Sequence, residues 1–149
     1  MTNSMPVSPE PVQDERTMAT LAHALSMLGF LAPLIIFLIK RQSRFVSFHA
    51  LQALLWHITY FVVVMVAMVA FFMFFIFTFM AHPPAKDAAP PMGLFVFFPL
   101  WWLVIMAGSV INLVLAIVYA VKAGQGEWAN YPIFGSLARK ILKMPPVST

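Results

Sequence analysis

"RFVSFHALQALLWH", residues 44–57, decides how this chain is read. It starts on a charge, carries His49, Gln52 and His57, and then runs without a break into one of the most apolar stretches of the sequence. Polar side chains at the threshold of such a run mark a boundary between two environments. The environment on the apolar side is set by composition. Of 149 residues 62% are hydrophobic and 9% charged, against about 45–50% and about 25% in an ordinary soluble domain. A fold this small leaves too much surface exposed to hide that much apolar area from water. The chain is therefore expected to be an all-α integral membrane protein, with the lipid bilayer as its first partner.

Outward from residues 44–57 the chain divides into three uncharged runs, 17–39, 45–81 and 93–121. Each exceeds the roughly 20 helical residues needed to cross about 30 Å of hydrocarbon. Trp and Tyr favour the headgroup level, so Trp56 and Tyr60 are taken to trim the second run, and Trp101, Trp102, Tyr119 and Lys122 the third. The expected spans are 18–39, 61–80 and 101–121. Between residues 58 and 81 there are 14 Leu, Ile, Phe or Val residues, each favouring insertion by roughly 0.3–0.6 kcal/mol. Residues 1–16, rich in Pro, Ser and acids, read as a disordered tail without the basic and apolar regions of a signal peptide. Residues 17–143 form one membrane domain, and 144–149 a second tail.

Three spans sort the basic residues unequally. Lys40, Arg41, Arg44, Lys122, Arg139, Lys140 and Lys143 fall on one side, Arg16 and Lys86 on the other. The positive-inside rule then predicts the N-terminus out and the C-terminus in. Pro33 leaves a second arrangement open, in which the first run is a re-entrant hairpin and the N-terminus lies inside. Residues 45–57 are expected to be an interfacial amphipathic helix, with Phe48, Leu51 and Leu55 on one face and His49, Gln52, Ala53 and Trp56 on another. The segment 134–143 is expected to be a second one. It turns Leu137, Ile141 and Leu142 to lipid and Arg139, Lys140 and Lys143 to anionic lipid headgroups, at about 1 kcal/mol per basic residue.

Within the spans, a polar residue is a site hypothesis by default. His23 is expected near the outer end of the first span, hydrogen-bonded to a neighbouring helix. A bis-histidine haem would need a second ligand at that depth, and His57 belongs to the inner end. No metal or other cofactor is expected, and without cysteine no thiolate chemistry. Gly108, Asn112, Ala116, Ala120 and Gly124 recur at every fourth position, a spacing that lets helix backbones approach. His23, His49, Gln52, Gly108, Asn112 and Ala116 are thus the candidate surface for packing or for a partner, which could be another membrane protein or a second copy. No paired carboxylates, phosphate loop or nucleophile elbow appear, so no enzyme is expected. Nor is nucleic acid, because the basic residues fall where a membrane surface is expected.

The succession "LAHALSMLGFLAPLIIFLIK", "FVSFHALQALL" and "AVKAGQGEWANYP" resembles small bacterial membrane proteins of unknown function related to the chloroplast inner-envelope import component Tic-twenty. The resemblance is carried by His23, Pro33, the Phe-x-x-Phe-His-Ala of residues 45–50, the Lys-Ala-Gly-x-Gly-Glu of residues 122–127 and Tyr131-Pro132. It covers residues 16–141. It implies a helical membrane domain linked to protein translocation, hence a non-catalytic scaffold or accessory subunit. The alternative is a small oligomeric transporter or channel.

Overall fold

In the computed structural model, which describes residues 10–81 and 92–144, the chain is helical and the described residues contain no strand. The elements in order are α1 (Gln13–Ala24), a 3-10 turn (Leu25–Leu28), α2 (Leu31–Ile39), α3 (Arg44–Ala81), α4 (Met92–Gly124) and α5 (Phe134–Ile141). They divide into two compact units. One joins the chain up to His57 with the chain from Val114 onward, and the other is Ile58–Leu113.

The expected first span is not one helix. Gly29 adopts φ 120° and ψ −174°, a region open essentially to glycine alone, and this separates α1 and the 3-10 turn from α2. Pro33 is not the break. It is the third residue of α2, within the first turn, where its missing N–H has no intrahelical acceptor to lose. The nine residues of α2 extend only about 14 Å at about 1.5 Å per residue, so α2 cannot cross a bilayer. Two helices are long and apolar enough to do so, α3 and the 95–124 part of α4. The chain is thus a helical membrane protein with two candidate spans in place of the three expected.

Residues 45–57 are not a separate interfacial helix. They are the first turns of α3, which no Gly or Pro interrupts, and residues 45–54 are buried on all sides. An amphipathic segment would keep one face open. Residues 92–99, outside the expected third span, are likewise helical within α4, which continues through Pro99.

In the Ile58–Leu113 unit the described parts of α3 and α4 would measure about 36 and 33 Å at about 1.5 Å per residue, close to the thickness of a hydrocarbon core. Phe71 and Phe97 stack with centroids 3.6 Å apart. Tyr60 lies against Gly108. Around these contacts Val63, Val66, Phe74, Phe77, Leu103 and Val104 are all exposed, an outer surface suited to lipid.

The other unit has a protein-like core. Phe48, Leu51, Leu54 and Ala138 are buried together, with Leu34, Phe37, Trp128 and Leu142 against them. Ala19, Phe45 and Ala123 form a second cluster under Trp128. Asp14 pairs with Lys40 at 2.7 Å, and the Ser43 hydroxyl donates to Glu15 at 2.7 Å, so the chain just after α2 is tied to the first turn of α1. Thr20 shares its hydroxyl proton between the carbonyls of Arg16 and Ala120, which brings α1 onto the end of α4.

Candidate functional site

Five polar residues of this unit, His23, Ser26, Ser47, His49 and Gln52, are fully or almost fully buried. An apolar interior accepts such groups only when their hydrogen bonds are made, and here they are made largely among themselves and with one loop. The loop is residues 125–133, between α4 and α5.

Hydrogen-bond partners fix the protons. His49 Nε2 lies 3.0 Å from the carbonyl oxygen of Glu127, which can only accept, so Nε2 carries the hydrogen and Nδ1 is the acceptor. His23 Nε2 is 3.0 Å from that Nδ1 and must donate to it. His23 Nδ1 therefore has the lone pair and accepts from the Tyr131 hydroxyl at 3.1 Å. The result is one directed chain, Tyr131 to His23 to His49 to the Glu127 carbonyl, with both imidazoles neutral. Gln52 completes it. Its Nε2 donates to the Ala129 carbonyl at 2.9 Å and its Oε1 accepts from the Tyr131 N–H at 3.0 Å, while a longer contact of 3.3 Å reaches His49 Nδ1. Tyr131 is thus held by backbone and side chain at once, and its ring stacks on His23 with centroids 5.4 Å apart.

Electrostatics agree with that assignment. Burial, followed by the proximity of His49 and His57, holds His23 well below the ordinary histidine value of 6.5. Burial, then Tyr119, holds the Tyr131 phenol above its ordinary value of 10.0. Every imidazole nitrogen of the pair is engaged, so neither ring offers a lone pair to a metal. Among the described residues no three His, Asp or Glu side chains gather into a metal-binding group.

The structure moves His23 from its expected place. Read on a first span it belonged to the side of the membrane opposite His49; with α1 folded onto α3 and α4 the two rings are in contact. His49 and Gln52, expected on a face turned to headgroups or a partner, are turned to His23 and the loop. Ala116 is buried near the end of α4, Gly108 faces Tyr60, and Asn112 is half-buried. His57 bonds back to the Ala53 carbonyl. Tyr131 was not among the candidate site residues. Its signal was a tyrosine directly before a proline in "EWANYP", after a glycine pair. Glu127 contributes its backbone, which no side-chain pattern reveals.

A second feature is α5. Gly135 allows it to start against Asn130, where a Cβ would come within 2.8 Å of the Asn130 Cα. Arg139 Nε donates to Asn130 Oδ1 at 2.9 Å, and its guanidinium lies 4.7 Å over the Phe48 ring. Burial pushes that guanidinium below the ordinary arginine value. Lys140 and Lys143 are exposed, as are Leu137 and Ile141. Leu142, expected toward lipid, turns inward to the Phe48 cluster.

A family model described as the magnetosome magnetite crystal formation protein family matches residues 14–138. Neither the curated proteins nor the solved structures include a match. The family match overturns the resemblance to Tic-twenty relatives, and with it the expected role as a translocation scaffold and the channel or transporter alternative. The residues that carried the resemblance, His23, Phe45, Phe48, His49 and Tyr131, are those that pack the buried network. They report how the helices are held together, not what passes through a membrane.

Proposed function

This chain belongs to the magnetosome magnetite crystal formation protein family, and from that premise we propose that it acts in the magnetosome membrane as a non-catalytic helical hairpin with both termini on the cytoplasmic face. The observation that carries the orientation is the distribution of charge. Of nine Lys and Arg residues only Lys86 falls between α3 and α4, leaving eight before α3, at its start, or from the end of α4 onward. With two spans the positive-inside rule gives a single answer. The N-terminus outside, which followed from three spans, becomes the N-terminus inside.

The non-catalytic role is supported by where the chemically capable groups are spent. His23, His49, Gln52 and Tyr131 satisfy one another, and Glu10, Asp14 and Glu127 pair with Arg16, Lys40 and Lys122. Such a chain contributes to a crystal by where it sits in the surrounding membrane. Fusions of a fluorescent protein that matures only in the cytoplasm should be bright at both ends of the chain. An alkaline phosphatase fusion active at either end would refute the orientation. Electron microscopy of cells lacking the chain should show magnetite crystals of altered size or shape, and unaltered crystals would refute the role.

A further inference from the structure

Loop residues 130–133 and α5 enclose an open cavity of about 430 Å³, within the range of small-molecule sites. Asn130, Arg139 and Lys140 form its polar wall, and Ile133 and Met144 its apolar one. Among the described residues no carboxylate pairs with Arg139, Lys140 or Lys143. Glu10, Asp14 and Glu127 are taken by other cations, and Glu15 is held by the Ser43 hydroxyl and the Val12 N–H. The cations around α5 therefore have no carboxylate partner among the described residues. Arg139 is also fixed in advance, by Asn130 at its Nε and by the Phe48 ring beneath it, so little side-chain freedom remains to be lost on binding.

The depth of the cavity is marked independently. Phe134, the first residue of α5, packs on Trp56 with centroids 5.7 Å apart. Two residues further along, at Ile58, α3 becomes exposed and apolar. The Tyr119 hydroxyl donates to the Asn130 carbonyl at 2.7 Å. A Trp and a Tyr beside the start of a span mark the headgroup level.

We infer that this cavity binds the phosphate of one acidic phospholipid, held by the Arg139 guanidinium and the Lys140 ammonium, with Ile133 and Met144 against the first carbons of its acyl chains. Ser136 lines the wall without donating to the phosphate, since its proton goes to the Ile133 carbonyl. The inference rests on the reading above only in placing this unit at a membrane face. It adds the class of ligand and the residues that hold it.

The test is native mass spectrometry of the full chain in a neutral detergent with phosphatidylglycerol, phosphatidylcholine or inorganic phosphate added. One phosphatidylglycerol per chain should be retained in preference to phosphatidylcholine. The double substitution Arg139→Gln with Lys140→Gln should weaken that retention by roughly tenfold or more, at about fivefold per basic residue. Arg41→Gln with Arg44→Gln removes the same charge elsewhere and should leave it unchanged. Should loss of Arg139 from the Phe48 ring unfold the unit, Lys140→Glu alone carries the test through an exposed side chain. Equal retention of the two lipids, or equal loss in the two double variants, would overturn the site. Displacement by millimolar phosphate would overturn its assignment to a lipid. A fusion result reversing the orientation, with phosphatidylglycerol still preferred, would remove the topology and leave the site standing.

Discussion

Helix α3 is a single helix in two solvents. Residues 45–54 are buried to the last one, including Ser47, His49 and Gln52, whereas beyond Ile58 Phe74 is 69% exposed and Phe77 74%. Both stretches are apolar on average, so hydropathy does not separate them. Their few polar residues do. A polar atom facing hydrocarbon without a partner costs several kcal/mol, so His49 and Gln52 are tolerable only where protein supplies acceptors and donors. Loop 125–133 supplies them. In the exposed stretch Thr78 meets the same demand by donating to the carbonyl of Phe74 one turn back.

The comparison breaks if the two stretches respond alike to substitution. His49→Leu would leave the His23 Nε2–H and the Glu127 carbonyl without partners and Gln52 with one fewer, at about 1–3 kcal/mol for each buried group orphaned. A total loss of about 3–5 kcal/mol is expected, enough to lower the thermal midpoint in detergent by many degrees. Phe74→Leu, on the exposed stretch, should cost less than about 1 kcal/mol. Comparable shifts would mean that the buried network is not what holds this unit together.

Acid sharpens the same contrast. Because the folded-state pKa of His23 is depressed below 6.5, the unfolded chain takes up a proton that the buried ring refuses. Stability is then fully present above pH 6.5 and falls as the pH drops below it, by up to about 1.4 kcal/mol per pH unit for this group. Residues 58–81 and 92–113 contain no His, Asp or Glu and add no such term. The thermal midpoint should be lower at pH 5.0 than at pH 7.5. A midpoint unchanged between them would refute the assignment of a neutral, buried imidazole.

How much of this was legible follows from what each signal measures. Composition identified the membrane class, and run length identified α3 and α4, because lipid and helix rise act on every residue of a span. The same measures read residues 18–39 as a span, since a window average cannot register Gly29 at φ 120°. One glycine conformation changed the number of spans and the side assigned to the N-terminus, and with it the position of His23. Contact between His23 and His49, 26 residues apart, depends on that path and is written in no local period. The quoted motifs resemble a translocation family, whereas the family model that matches residues 14–138 is that of magnetosome magnetite crystal formation proteins. The signature consists of packing residues, and packing does not name a function.

Two glycines bring the comparison to single atoms. In Gly135→Ala the new Cβ would come within 2.8 Å of the Asn130 backbone, whereas in Gly108→Ala its nearest neighbour, at 2.9 Å, is the Tyr60 hydroxyl at the end of a side chain. Backbone cannot step aside as a ring can, so Gly135→Ala should cost about 1–3 kcal/mol and Gly108→Ala less. Equal costs would show that the exposed unit packs as tightly as the buried one.

A small effect of opposite sign is expected at Ile133, which opens α5 at φ 67°, a conformation that costs a β-branched residue about 1–3 kcal/mol. Ile133→Gly removes that strain but adds unfolded-state freedom worth about 0.4–1 kcal/mol, so the net gain in stability should be about 1 kcal/mol. Ile133 is 79% exposed, and no burial is lost in exchange. A gain in stability accompanied by weaker lipid retention would show that the strained backbone is kept because it holds an apolar side chain at the cavity rim. A gain without that loss would leave the strain to the tight entry into α5 that Gly135 permits.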